Sequence, residues 1–320
     1  MTGSARDDRA PVFRIYVIIL GSAAILATAL RFWSRMLAQG HWHRFWWDDW
    51  TALAATFVLV GQLIITVIAL SNGLGRHLWA LRQDESILVG QLIFAIYFSY
   101  SIALTFSKAS VLLLMSRIFP SYTKWDWFSL VIWITHSLNL AWLIGVLLGT
   151  LFICNPITRH WDPTGPGRCG STDALYIGSA IPGVVIDLII LTLPLPKIWH
   201  IHASRSRRIA VTLVFVLGYW YVSALLAALL TIFSVIVASL GRLITILTSS
   251  YVLRTDITHD GLDIFYWTWA ETSVAVIGIS LPAILHLHQR LKLKLQTLHS
   301  VNTFPLGPWS RHGDSINLSG

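Results

Sequence analysis

Seven stretches of this chain are long and apolar enough that water is the wrong solvent for them: Phe13–Leu37, Asp49–Ser71, Ser86–Ile118, Trp127–Ile153, Thr172–Ile198, Ile209–Tyr251 and Leu262–His288. A bilayer core about 30 Å thick is spanned by about 20 apolar residues in a helix. A segment in lipid must also close its own backbone hydrogen bonds, which a helix does. The chain therefore predicts an all-α polytopic membrane protein, a seven-transmembrane helix bundle. Residues 1–12 form a short N-terminus, 13–288 the bundle, and 289–320 a tail that begins as a basic helix and turns polar around Pro305, Gly307 and Pro308. Composition agrees: 55% of the 320 residues are hydrophobic and 12% charged, where a soluble domain carries about 25% charged residues. Several of the sixteen tryptophans flank the apolar runs (Trp46, Trp47, Trp50, Trp125, Trp127, Trp199), where an indole favours the headgroup layer. The first run could be a cleaved signal, with Ala27-Thr28-Ala29 as a small-residue site. Arg31 and Arg35 directly behind it suit a retained span better.

Basic residues set the expected threading. Arg31, Arg35, Arg44, Arg117, Lys124, Lys197, Arg205, Arg207, Arg208, Arg290, Lys292, Lys294 and Arg311 fall on one side, thirteen in all. Eight fall on the other, beside nine acids that include Asp256, Asp260 and Asp263. The bias puts the N-terminus outside and the C-terminus in the cytosol. The net charge of +8 sits in short clusters between apolar runs and forms no continuous basic face, so nucleic acid is excluded as a partner. Asn317-Leu318-Ser319 is a glycosylation sequon that this threading places inside, where it goes unused.

Two cysteines, Cys154 and Cys169, share the link after the fourth segment. That link is expected outside, in an oxidising compartment, so a disulfide is expected to clamp Asn155–Arg168 over the helix ends. Two free thiols are the alternative. Four ionisable residues lie inside apolar segments: Lys108, Asp187, Arg242 and Glu271. Such residues face a bundle interior and mark a site or a buried pair. Glu271 and Arg242 each lie about nine residues from the same end of their helices, roughly 14 Å deep at 1.5 Å per residue, so they can pair. Lys108 and Asp187 fall in the inner half, where a second pair is possible. Paired charges can also serve packing alone, because removing one strands the other. Asp48 and Asp49 open the second segment, where acids favour a helix N-terminus, and are read as caps. Three His-x-His pairs, His41/His43, His200/His202 and His286/His288, offer at most one ligand each in helical geometry, so no metal is expected. The sequence lacks a phosphate loop, a His-Glu-x-x-His and a Gly-x-Ser-x-Gly elbow. The seventh segment has no lysine for a retinal Schiff base, and no cofactor is expected.

The pattern resembles the fungal seven-helix integral membrane family known by its "rhodopsin domain", which includes plant-surface-sensing receptor-like proteins. The resemblance runs from about Arg31 to Pro282. It is carried by Arg31-x3-Arg35, Trp47-Asp48-Asp49-Trp50, Gly73-Leu74-Gly75-Arg76-His77, Lys108 with Arg117-Ile118-Phe119, Phe152-x-Cys154-x-Pro156-x4-Trp161 with Cys169, Asp187 with Leu193-Pro194-x-Pro196, and Glu271 with Leu281-Pro282. It implies a fungal source and a disulfide-closed outer loop, and neither retinal nor G-protein coupling. The sixth segment departs from the pattern. Its 43 residues would make a helix about 64 Å long, and the surplus is close to Tyr219–Ser234, which is read as a retained intron that transcript sequencing would reveal.

Two functions follow as expectations. The first is a receptor-like sensor of the plasma membrane, taking a small extracellular or lipophilic ligand near Arg242 and Glu271 and signalling through helix movement, with Pro194 and Pro196 as a bend, to a cytosolic partner that the sequence does not name. The second is a membrane-bound, acid-catalysed cyclase of terpene or polyketide tailoring, in the endoplasmic reticulum, with Glu271 or Asp187 as the acid. That chemistry needs a carboxyl kept neutral, whereas both acids have a cationic partner within reach.

Overall fold

The computed structural model of the protein describes residues 8–37, 45–118, 127–162, 165–194, 196, 234–248 and 256–302, with the backbone alone at 173 and 286–302. Along them run α1 (Ala10–Leu37), α2 (Trp47–Ser71), α3 (Gln83–Ile118), α4 (Trp127–Phe152), β1 (Cys154–Asn155), β2 (Arg168–Cys169), α5 (Thr172–Thr192), α6 (Ser234–Thr248) and α7 (Leu262–Asn302). Among the described residues, all of these helices except α6 have the length and apolar character to cross a membrane, six in number. The described part of α6 is apolar but shorter. Residues 219–233, which carry nearly all of the surplus in the sixth segment, lie outside the described residues. So do Arg44, Lys124, residues 197–208, and His41, His43, His200 and His202.

The helices expose large apolar side chains and bury polar ones among an apolar core. On α1 the side chains of Val12, Ile15, Ile19 and Leu26 face outward, while Phe13, Val17, Ala24, Thr28 and Arg31 are buried at helical spacing. On α2, Phe57 is 80% exposed whereas Gln62 and Thr66 are completely covered. Water as solvent would not leave so many large apolar side chains exposed. Lipid favours this arrangement, and the protein is a multi-pass membrane protein.

Sequence neighbours pack together: α1 on α2, α2 on α3, α3 on α4 and α4 on α5. The bundle is closed by α1 against α7. There the rings of Phe13 and Tyr16 meet Tyr266 at 4.7 and 4.9 Å. Further along the same seam Arg31 donates to the carbonyl of Ile279, and Ser34 Oγ to that of Ala283 at 2.8 Å. The fifth segment is shorter than its apolar run: α5 stops at Thr192, Leu193 turns, and Pro194 and Pro196 are again helical. A proline has no amide to continue the helix before it, yet fits the first turn of the next.

One end of the bundle is covered by two tied loops. Cys154 and Cys169 face each other across the β1–β2 pair and form a disulfide. Inside the loop it closes, Trp161 lies over α3 so closely that a Cβ on Gly90 would meet its Cβ at 2.9 Å. Burial holds the pKa of His160, beside Phe94, below the usual histidine value. The second loop is Gly73-Leu74-Gly75-Arg76-His77. Gly73 and Gly75 have φ of 114° and 103°, a region closed to most side chains. This conformation lets Gly75 accept from the Arg9 amide (3.2 Å) and donate to the Thr258 carbonyl (2.9 Å). Three separate parts of the chain thereby meet at one turn.

Candidate functional site

The four ionisable residues singled out in the sequence lie in one buried chain of contacts that crosses the bundle. On α7, Glu271 is fully buried. Its Oε2 accepts from Arg242 Nε on α6 at 3.0 Å and from Tyr100 OH on α3 at 2.6 Å. Its Oε1 lies 2.6 Å from Ser239 Oγ, one turn before Arg242 on α6. The same Ser239 Oγ is 3.0 Å from Asp187 Oδ2 on α5. Asp187 Oδ1 is 3.0 Å from Lys108 Nζ on α3, which also donates to the carbonyl of Gly183 at 3.0 Å. Arg242 stands over the Tyr100 ring at 5.1 Å and Lys108 over the Trp142 ring at 5.5 Å. The structure thus brings Arg242 to Glu271 and Lys108 to Asp187, and joins the two pairs through one hydroxyl.

Neither Ser239 nor Tyr100 stands out in the sequence, since serines in apolar helices commonly bond back to the preceding turn. The available signal was spacing: Ser239 and Arg242 are three apart and share a helix face. The chain of polar contacts continues through Tyr97 OH, which donates to Ser179 Oγ at 2.9 Å, and Trp142 Nε1, which donates to the Ser179 carbonyl at 2.8 Å. Helices α3 to α7 are all attached to it.

Among the described residues, two cavities adjoin this chain of contacts. A groove of about 610 Å³ runs between α4 and α5, walled by residues such as Leu138, Val146 and Ile189, with Trp142 and Ser179 among its lining. A narrower one, of about 40 Å³, lies between α3, α5, α6 and α7. Its walls include Ile96, Ile246 and Phe265, its polar lining is Tyr97, Tyr100, Tyr176, Arg242 and Thr268, and Ile257 and Gly261 belong to the segment leading into α7. Neither Asp187 nor Glu271 lines either cavity.

A second ionic cluster occupies the opposite end. Arg31 donates from Nη2 to Asp48 Oδ2 (2.7 Å) and from Nε to Asp49 Oδ1 (2.8 Å), with all three side chains about 1% exposed. Arg35 lies 3.6 and 3.4 Å from the same oxygens, and Arg117 3.5 Å from Asp48 Oδ1. Asp49 also accepts from the Trp46 amide at 3.3 Å, so the capping role read from the sequence exists. The buried pairing with Arg31 is a feature the sequence reading missed. The i, i+4 spacing of Arg31 and Arg35 was its signal.

At the disulfide end, Asp256 organises the loop before α7. Burial works against its carboxylate, but bonds from His77 Nδ1 (2.7 Å), the Leu78 amide (3.1 Å), Thr258 and the His259 amide outweigh it and hold its pKa below the usual carboxylate value. The His77 and His259 rings stack at 3.9 Å. No group of three or more metal-ligating side chains occurs among the described residues.

Apolar helices, ion pairs buried between them and a closed loop at one end define a polytopic helical membrane protein. The sequence pattern of the Fungal rhodopsin domain covers residues 30–290, and the chain belongs to that family. It is 27% identical over 290 residues to the polyenoic acids biosynthesis gene cluster protein Ba17b of Metarhizium anisopliae, covering 88% of this chain and 74% of that one. It is 27% identical to a SAT4 family membrane protein of Emericella nidulans (48% of this chain, 40% of that one). It is also 27% identical to fugralins biosynthesis cluster protein 2 of Gibberella zeae (73% and 53%). The chain thus spans about half or less of the length of the last two relatives. No solved structure matches.

Proposed function

We propose that the protein is a receptor-like sensor of the plasma membrane, without retinal, built as a seven-span bundle with its N-terminus outside and its C-terminus in the cytosol. A small lipophilic ligand enters at the disulfide end and occupies the cavity over Arg242. The observation that carries this reading is what faces that cavity: a cation and three tyrosines, with both carboxyls turned away into the ionic chain. A site that binds needs the first set. A cyclase that protonates an olefin or epoxide needs an acid aimed at substrate. Ligand in the cavity touches α3, α6 and α7 at once, and Tyr100 and Arg242 pass any shift to Glu271, Ser239 and Asp187. The charge bias along the chain supports the threading.

The alternative, a membrane-embedded cyclase of a biosynthetic pathway, is favoured by one observation: relatives bear the names of biosynthesis cluster proteins. The two readings separate by experiment. Microsomes bearing the wild-type protein and E271Q are supplied with lipophilic extracts of the producing culture, and products are followed by mass spectrometry. The receptor reading expects retention of a compound without conversion and surface location of a tag on residue 1. Turnover by wild type that E271Q loses while still folded would replace it with the cyclase.

A further inference from the structure

Arg242 is 2% exposed, yet only its Nε is used: its two terminal nitrogens donate to no described residue. Arg242 lines the 40 Å³ cavity. A cavity needs roughly 10–15 Å³ of such volume to admit even one water, so the space beside Arg242 admits a small polar group, with the apolar walls of Ile96, Ile246 and Phe265 around it. A carboxylate is such a group, and guanidinium bonds it with two parallel donors.

Charge must also balance. With both acids ionised, Lys108 and Arg242 cancel Asp187 and Glu271, and an added anion would leave one negative charge in the bundle. Ser239 removes the difficulty. Its hydroxyl has one proton but touches two carboxyls, Glu271 Oε1 at 2.6 Å and Asp187 Oδ2 at 3.0 Å. With both ionised, one of those contacts sets lone pair against lone pair. A proton on Asp187 Oδ2 completes the row: Asp187 donates to Ser239, and Ser239 to Glu271. Glu271 stays the anion, held by Arg242 Nε and Tyr100 OH, while Lys108 still donates to Asp187 Oδ1.

We propose that the cavity over Arg242 binds the carboxylate of an apolar acid, taken up together with one proton that rests on the Asp187–Ser239–Glu271 bridge. This rests on the ligand-binding reading above and names its ligand class. The neutral acid crosses lipid, its O–H bond breaks, the carboxylate meets the terminal nitrogens of Arg242, and the proton bonds to Asp187 Oδ2. No charge is gained. The groups facing the bridge are Lys108 and Tyr100 on α3 and Arg242 on α6; Lys108 Nζ is already bonded to Asp187 and Gly183, whereas among the described residues both terminal nitrogens of Arg242 are left without an acceptor.

The test uses the full chain in nanodiscs, titrated with hexanoate labelled with ¹³C at the carboxyl, with 1-hexanol as the uncharged control and empty nanodiscs as blank. Expected are saturable binding, a bound carboxyl resonance at the ionised position, and uptake of about one proton per ligand, so that affinity for the anion falls about tenfold per pH unit. The double variant R242Q/E271Q removes both charges without stranding either, and should lose hexanoate about tenfold or more. I246F fills the cavity, leaves every charge in place and should lose hexanoate with its unfolding midpoint kept. Retention of hexanoate by either variant, or absence of saturable hexanoate binding, overturns the proposal. Hexanol binding as well as hexanoate overturns the acid assignment and leaves the lipophilic-ligand reading standing.

Discussion

Arg31 and Arg35 look interchangeable in the sequence, one turn apart on one helix, but the structure gives them unequal weight. Replacing Arg31 with glutamine removes bonds of 2.7 and 2.8 Å to Asp48 and Asp49, and the bond to the Ile279 carbonyl, from a site about 1% exposed. Hydrogen bonds to charged groups contribute about 1.5–3 kcal/mol each, and breaking a buried pair costs about 3–5 kcal/mol because its partner is stranded. Arg35 and Arg117, at 3.4 to 3.6 Å from the same carboxylates, offset part of the loss. The expected cost of R31Q is therefore about 3 kcal/mol, roughly a hundredfold in the folded-to-unfolded ratio. Arg35 is 22% exposed and makes only the longer contacts, so R35Q should cost about 1 kcal/mol or less. Reversible unfolding of the purified protein in bicelles, followed by tryptophan fluorescence, measures both. Equal losses within about 0.5 kcal/mol would refute the assignment of the cluster to Arg31.

Other consequences are open to similar measurement. G75A should destabilise by about 1–2 kcal/mol in the same assay, because φ is 103° and the new methyl would meet the Ala10 nitrogen at 2.8 Å. C154S should cost about 3 kcal/mol, the chain-entropy value for a loop of this size, the sequence separation being 15, and dithiothreitol should reproduce it in the wild type. Asp256 has its pKa lowered in the fold, so its contribution is complete above the unfolded carboxylate value of about 4 and is lost as pH falls through the folded value. Protection of the Leu78 and His259 amides against hydrogen exchange, taken relative to the intrinsic rate at each pH, should fall below about pH 4, and in D256N that acid dependence should vanish.

The helices were legible because an apolar run of this length has few other fates. The interior ionisable residues were legible by depth: Arg242 and Glu271 lie at one level on helices that follow each other in the chain. The cluster at the other end was not. Asp48 and Asp49 open a helix, where caps explain acids well enough, and adjacency in sequence hides that the α1–α2 hairpin folds Arg31 back to their level. Ser239 and Tyr100 were missed for a different reason. Their side chains ordinarily need no partner but the backbone or water, and only the position of two carboxyls shows one hydroxyl bridging both. His77 was legible as part of a motif, but its partner Asp256 is 179 residues away, a pairing that no local pattern encodes.

The two ionic sets are not independent, because α3 belongs to both. It carries Tyr100 and Lys108 of the interior chain and, two residues further on, Ser110, whose hydroxyl bonds the Asp48 carbonyl at 2.8 Å. Two residues are about 3 Å of helix, too short to absorb a displacement by bending. Under the receptor-like reading, a ligand that repositions Arg242 changes what Glu271 and Ser239 offer Asp187, and hence how Lys108 is held. The same rigid element then bears on Asp48, the residue that Arg31 and Arg117 also grip. On that reading a sensor needs a packed element that both ends can bias, and α3, with side chains in both ionic sets, is the proposed one.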